Sequence, residues 1–391
     1  MRIHSVKNAF VYTKNGFEKK DFLYSEDSGT FVDKACSSEG DESWDASGCY
    51  VIPGLCDIHL HGADGADFSD GDPDALLTIA SWEARHGTTA FCPASMTVDK
   101  ETILKAMDSA RLFTKNVKEG KYQDGSLSEL LGVYMEGPFI SKKKCGAQDP
   151  VNVKAPSFEF LQQAQQTSGG LIRFCVTAPE GDGAISFIRK AASLGIKICI
   201  GHTDCDYEKA HEAFSNGACE LTHTFNAMAP MLHRAPGPVA AAAFGNAYAE
   251  LIADGIHVHN AMIAMTFRMF GPDRVILISD SMRGAGLKDG AYTLGGQKVN
   301  VKGSEARLDN GVLAGSVSCL YSCLRNAVLN AKVPLHDAVT AASVNPRRQC
   351  GADTSFLGSG NKATFLVLSA PEAGLKIKRI VMRGKDITPF N

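Results

Sequence analysis

The chain has 391 residues, 44% hydrophobic and 21% charged, which excludes a disordered, collagen-like or coiled-coil protein. Forty basic against 43 acidic residues leave a net charge of -3 with no long Lys/Arg run, so no nucleic-acid partner is expected. The start, Met1-Arg-Ile-His-Ser-Val-Lys, lacks the apolar core of a signal peptide, and the richest apolar stretch, 238–253, is broken by Gly245, Asn246 and Glu250; with twelve scattered cysteines and no C-x-x-C pair, a cytoplasmic protein with reduced thiols and no membrane partner is expected.

Ile3 to Thr13 alternates as a strand does, and Asn15-Gly16 reads as a hairpin turn. Polar, acidic sequence from Ser25 to Ser47 reads as loops between short strands. At the other end, Ala363–Leu368 and Leu375–Met382 also read as strands. The two ends are therefore expected to pair into one small β-sandwich domain, 1–52 with 346–391, around an inserted domain of 53–345.

The insert alternates short apolar runs with stretches of helical period. The strands are expected at Leu55–Leu60, Thr88–Pro93, Leu130–Met135, Leu171–Thr177, Ile196–Ile200, Glu220–Phe225, Glu250–Ala253 and Arg274–Ser279. Helices are expected at Asp74–Arg85, closed by Gly87, then at Glu101–Lys115, Phe158–Gln166, Ile185–Ser193, Asp206–Ser215 and Ala261–Phe270. Eight strand–helix units over about 290 residues fit an α/β fold of the (β/α)8 TIM-like barrel type. The rival, a doubly wound open sheet, normally carries a Gly-rich phosphate turn after an early strand, and none is present. Leu287 to Gly315 breaks the rhythm and reads as a β-hairpin insertion; Leu320–Asn330 and Leu335–Ala342 follow as helices.

Ionisable residues fall at the ends of these strands. His59 and His61 end the first, Glu136 the third, His202 the fifth, His223 the sixth, His257 follows the seventh and Asp280 the eighth. In a barrel the C-terminal strand ends share one mouth, where active sites sit. Each residue alone has a structural explanation: His202 as a hydrogen-bonded core histidine, Glu136 as a loop residue, Asp280 as a turn cap. A charge at a buried strand end is costly unless paired or metal-bound. The convergence of several at one mouth therefore points to a metal centre, with His59 and His61 on one strand face at period two.

Longer motifs accompany these residues: Pro53-Gly-Leu-Cys-Asp-Ile-His-Leu-His-Gly, Glu136-Gly-Pro-Phe-Ile, Ala178-Pro-Glu, Gly201-His-Thr, Thr222-His-Thr-Phe-Asn-Ala-Met, Arg234-Ala-Pro-Gly, Ala253-Asp-Gly-Ile-His, Ser279-Asp-Ser-Met and Leu313-Ala-Gly-Ser. Over almost its whole length the sequence resembles the amidohydrolase superfamily and, within it, the N-acetylglucosamine-6-phosphate deacetylase family. That resemblance implies a metal-dependent barrel beside a β-sandwich built from both chain ends. It implies Glu136, His202 and His223 as ligands of the main divalent ion. His59 and His61 would hold a second, with Glu136 bridging; zinc, iron, manganese and cobalt all suit such ligands. Asp280 matches the catalytic aspartate. Asn226, Ala227 and Arg234 match positions that hold the sugar phosphate, Arg234 reaching across a homodimer interface, and His257 and Leu313 match substrate-binding positions. The implied reaction is hydrolysis of the acetamide of N-acetylglucosamine 6-phosphate, an amino-sugar phosphate, to glucosamine 6-phosphate and acetate. Alternatives are the galactosamine epimer, another amidohydrolase substrate, or a non-catalytic barrel homologue. One departure falls in the site: Cys145-Gly-Ala-Gln148 stands where the family often has Gly-Ala-His. Gln148 can donate an amide N–H to an oxyanion but cannot become a cation. A second, Lys362-Ala-Thr364 in place of the family's Ala-Asp, falls in the β domain.

Overall fold

Parallel strands that alternate with helices form the centre of the computed structural model, which describes residues 2–33, 42–122 and 124–389. The strands are β1 (Leu55–Leu60), β2 (Thr88–Pro93), β3 (Val133–Met135), β4 (Ile172–Thr177), β5 (Lys197–Ile200), β6 (Ala218–Leu221), β7 (Tyr248–Ile252) and β8 (Val275–Ile278). β3 to β8 pair in chain order as one six-stranded parallel sheet, and β1 pairs with β2 in another. The expected strand Leu130–Met135 is interrupted: Glu129–Leu130 pairs with β2, whereas Val133–Met135 pairs with β4. The break falls at Gly132, where a Cβ would collide with the Arg173 side chain. Ala94 and Tyr134 bridge the two sheets, and at the other side Asp280 N–H donates to His59 O (2.9 Å) and His61 N–H to Ser281 O (2.7 Å).

These strands are apolar on both faces because both faces are covered, as parallel sheets require. Ile58, Cys92, Tyr134, Phe174, Ile252 and Ile278 pack together on one face. Leu55, Phe91, Val133, Ile198, Leu251 and Leu277 pack on the other, against the helices. Each large apolar side chain so buried contributes about 1.5–3 kcal/mol.

Helices cover that second face at Pro73–Arg85, Lys100–Lys118, Phe158–Thr167, Ala184–Ser193, Tyr207–Ser215, Gly237–Phe244, Asn260–Phe270 and Leu320–Leu329. Asp72 caps the first by accepting from Asp74 N–H, and Gly87 lets the chain turn out of it at φ 85°. The apolar run 238–253 divides into the helix Gly237–Phe244 and β7, a helix the strand-length reading did not separate. The expected strand Glu220–Phe225 sits earlier, at Ala218–Leu221, because His223 and Phe225 turn the chain at φ 29° and 77°. The expected helix Leu335–Ala342 is α-helical only to Val339 and widens into a π turn at Thr340–Val344.

Both chain ends enter one further mixed sheet. Its N-terminal strands are Ile3–Thr13, Gly16–Ser25, Thr30–Val32, Glu42–Asp45 and Cys49–Pro53; its C-terminal strands are Phe365–Ser369, Ile377–Met382 and Lys385–Asp386. The ends meet where Cys49–Pro53 pairs antiparallel with Phe365–Ser369. The first hairpin turns at Lys14-Asn15, with Gly16 already paired to Thr13. Part of the polar stretch from Ser25 to Ser47, residues 34–41, lies outside the described residues. The insertion after β8 is a three-stranded antiparallel sheet, Gly290–Leu294, Gln297–Lys302 and Glu305–Leu308, packed through Leu294 and Val299 on Met96 and Met282.

Candidate metal centre and substrate cavity

The strand ends place two groups of ligand-type atoms side by side. In the first, Glu136 Oε1 lies 2.9 Å from His202 Nε2 and 2.9 Å from His223 Nε2, and the two imidazole nitrogens are 3.0 Å apart. In the second, His61 Nε2 lies 3.2 Å from Asp280 Oδ1 and 3.2 Å from Glu136 Oε2. His59 Nε2 stands 3.6 Å from Glu136 Oε1 and 3.9 Å from Asp280 Oδ1. Glu136 therefore faces both groups, one oxygen close to each.

The histidines are oriented from behind. His202 Nδ1–H donates to Lys144 O (2.9 Å), His61 Nδ1–H to Ala94 O (3.0 Å) and His59 Nδ1–H to Glu250 (3.0 Å). A carbonyl can only accept, so Nδ1 carries the proton and Nε2 turns a lone pair toward the cavity. Converging lone pairs and carboxylates repel unless a cation lies among them. His59 Nε2 and Asp280 Oδ1 are buried without a hydrogen-bond partner. This donor set, imidazole with carboxylate, fits one or two divalent ions.

Within the cluster the acids and imidazoles shift one another. Burial would raise Glu136, but His59, His202 and His223 beside it pull it well below the usual carboxylate range. Burial would lower His61, yet Asp280 and Glu136 push it up to about 10. Asp280 is lowered in turn: burial opposes it, and His61 and His59 overcome that. Backbone strain marks the same place, since His202, His223, Phe225, Ala227 and Asp280 all adopt left-handed φ between 29° and 77°.

The centre opens into a cavity of about 190 Å³. His61, Glu136, His202, His223 and Asp280 line its floor, and Gln148, Asn226, Ala227, His257 and Leu313 its walls. His59 lies behind the floor, fully buried. Arg234 is exposed and outside this lining; its Nη1 donates to His233 Nε2 at 2.8 Å. Gln148 is held at both ends of its amide: Oε1 accepts from Thr97 N–H (2.6 Å) and Nε2 donates to Glu136 Oε2 (2.6 Å). His257 Nδ1–H donates to Asp254 (2.7 Å), and that carboxylate raises the imidazole against the effect of burial. Met96, Leu294 and Val312 also line the cavity. Sequence reading passed over them because an apolar side chain in a loop or hairpin carries no chemical signature. It passed over Glu250 too, noted only as an interruption of an apolar run. A charge inside a strand of buried length was the available signal.

The amidohydrolase family profile matches residues 50–386. The chain is 37% identical over 302 residues to an N-acetylglucosamine-6-phosphate deacetylase of Bacillus subtilis (strain 168), covering 77% of this chain and 75% of that protein. It is 33% identical over 339 residues to an N-acetylgalactosamine-6-phosphate deacetylase of Escherichia coli O157:H7, covering 86% and 87%. In structure it is similar to a single-site mutant of N-acetyl-D-glucosamine-6-phosphate deacetylase from Mycobacterium smegmatis, solved in complex with N-acetyl-D-glucosamine-6-phosphate. The TM-score is 0.88 at 28% identity, with 99% of each chain covered.

Proposed function

The chain belongs to the amidohydrolase family, and on that footing we propose that it hydrolyses the acetamide of N-acetylglucosamine 6-phosphate to glucosamine 6-phosphate and acetate, a step of amino-sugar breakdown. The observation that carries this reading is Asp280 Oδ1, buried, without a hydrogen-bond partner and beside His61 at the cavity floor. Amide hydrolysis needs a base for water and an acid for the departing nitrogen. Asp280 serves as both: it accepts a proton from the attacking water and returns it to the nitrogen as the C–N bond breaks, leaving acetate and a free amine.

Glu136, His202 and His223 would hold one divalent ion, and His59 and His61 a second with Glu136 between them; zinc, iron, manganese or cobalt suits these ligands. Such an ion supplies Lewis acidity toward water and toward an amide carbonyl. Gln148 stands beside Glu136 at the cavity wall; its Nε2 donates to Glu136 Oε2 and toward Met96 Sδ, and the N–H on the weak sulfur acceptor is the one that can turn to a developing oxyanion. His257, held by Asp254, and Leu313, which lines the same cavity, take the sugar. Asn226 and Ala227 take the phosphate end together with Arg234, whose guanidinium fork suits phosphate. Arg234 lies outside its own cavity, next to exposed Met231 and Leu232. That placement supports a homodimer in which Arg234 serves the neighbouring site.

We read the two parallel sheets as halves of one (β/α)8 barrel, 53–345, and the mixed terminal sheet as part of a β-sandwich domain, 1–52 with 346–391. Eleven described cysteines are free, which suits the reducing cytoplasm. Among the described residues, no helix is long and apolar enough to cross a membrane. The galactosamine epimer is the second reading, favoured by the 33% identity to a deacetylase of that sugar phosphate. Acetate release measured side by side on the two 6-phosphates, with elemental analysis of the same preparation, tests both. Release from neither substrate by ion-loaded protein would refute the proposal.

A further inference from the structure

Beneath the cavity lies a buried acid with no part in the chemistry above. Glu250, on β7, is fully buried, and its Oε2 accepts two hydrogen bonds, from His59 Nδ1–H and from the His223 main-chain N–H, both at 3.0 Å. One oxygen thus ties together the end of β1 and the turn after β6, which carry a ligand from each of the two groups. The His59 ring also packs on Tyr134, centroids 4.3 Å apart, so Tyr134 restrains its plane while Glu250 decides which edge faces the cavity. Glu220 and Cys199 lie beside Glu250, with candidate ligand atoms within 4.8 Å of one another. Both Glu220 oxygens lack a hydrogen-bond partner. Burial, then Glu250 beside it, push Glu220 well above the carboxylate range.

We propose that Glu250 is a positioning residue: it turns the His59 Nε2 lone pair into the cavity and, through the His223 amide, sets the spacing between the two ion-binding groups. This rests on the two-ion reading given above. What matters is the reach of the carboxylate, since a single oxygen must meet two donors 164 residues apart in sequence. Backbone carbonyls do the same for His61 and His202, whereas at His59 a side chain holds the imidazole, so there substitution can test the arrangement.

Two full-length variants separate reach from charge. Glu250→Gln keeps an oxygen at the same reach and loses the charge. Glu250→Asp keeps the charge and loses one methylene of reach. Each protein is stripped, titrated with zinc alone against a competing chelator, counted by elemental analysis, and assayed for acetate release. The expected result is two zinc ions in the wild type and in E250Q. In E250D the ion held by His59 and His61 should bind about 10–100-fold more weakly, the usual cost of losing an outer-shell partner, with kcat falling and KM little changed. Equal zinc affinities in E250D and E250Q, or a greater loss in E250Q, would overturn the proposal; a purely structural role would lower the melting temperature of both without separating them. Wild-type protein that holds one ion, unaffected by His59→Gln, would instead bring down the two-ion reading and this inference with it.

Discussion

Replacing Asp280 by Asn tests the proton path most directly. The side chain keeps its size, so the packing around β8 and the Asp280 N–H bond to His59 O should survive. What is lost is one basic oxygen, Oδ1, which lies 3.2 Å from His61 Nε2 and has no hydrogen-bond partner to share it. A positioned general acid–base group contributes about 10²–10⁴-fold, or about 2.7–5.4 kcal/mol at 1.36 kcal/mol per decade. Asp280 handles the proton in both directions, so the loss should fall near the upper end. The residues assigned to phosphate, Asn226 and Ala227, are untouched, and KM should stay within about threefold, because only an interaction special to the transition state has gone. The assay is steady-state acetate release, paired with metal content before and after. A fall in kcat of less than tenfold would refute the assignment. So would a large fall reversed by excess zinc, which would make Asp280 chiefly a ligand.

Other expectations follow from the same site. The double change His59→Gln, His61→Asn should reduce bound zinc from two ions to one by elemental analysis, leaving the Glu136, His202 and His223 group loaded; unchanged content would mean a single site. Arg234→Ala should weaken discrimination between phosphorylated and unphosphorylated acetamido sugars, read as the ratio of kcat/KM, and an unchanged ratio would remove Arg234 from the phosphate site. Against burial, Asp280 and Glu136 push His61 up to about 10. Below that pH it is protonated, and an ion must displace the proton. Zinc uptake at pH 7.5 should therefore release protons, and affinity should climb as pH rises toward 10. Calorimetry in buffers of different ionisation enthalpy measures this, and zero release would contradict it.

Much of the fold was legible because buried parallel strands are short, apolar and bounded. Leu55–Leu60 and Thr88–Pro93 begin and end where the pattern places them. The misreadings have specific causes. Thr222 to Phe225 is as β-branched and aromatic as a strand, yet His223 turns through a left-handed conformation with its Nε2 on Glu136, and composition does not encode that demand. The break at Gly132 answers a side chain forty-one residues later, Arg173. Within the site, the imidazoles and carboxylates were visible as charges out of place at strand ends. The supports of His61 and His202 were not, because the carbonyls of Ala94 and Lys144 belong to the backbone and leave no mark in residue identity.

The pairing of Cys49–Pro53 with Phe365–Ser369 has a consequence for biosynthesis. Only Gly54 separates that early strand from β1, which carries His59 and leads into His61. The partner of that early strand, Phe365–Ser369, thus leaves the ribosome only after all eight parallel strands have done so. The strand that closes on the segment before β1 is therefore made after every residue of the candidate centre, the last of which is Asp280.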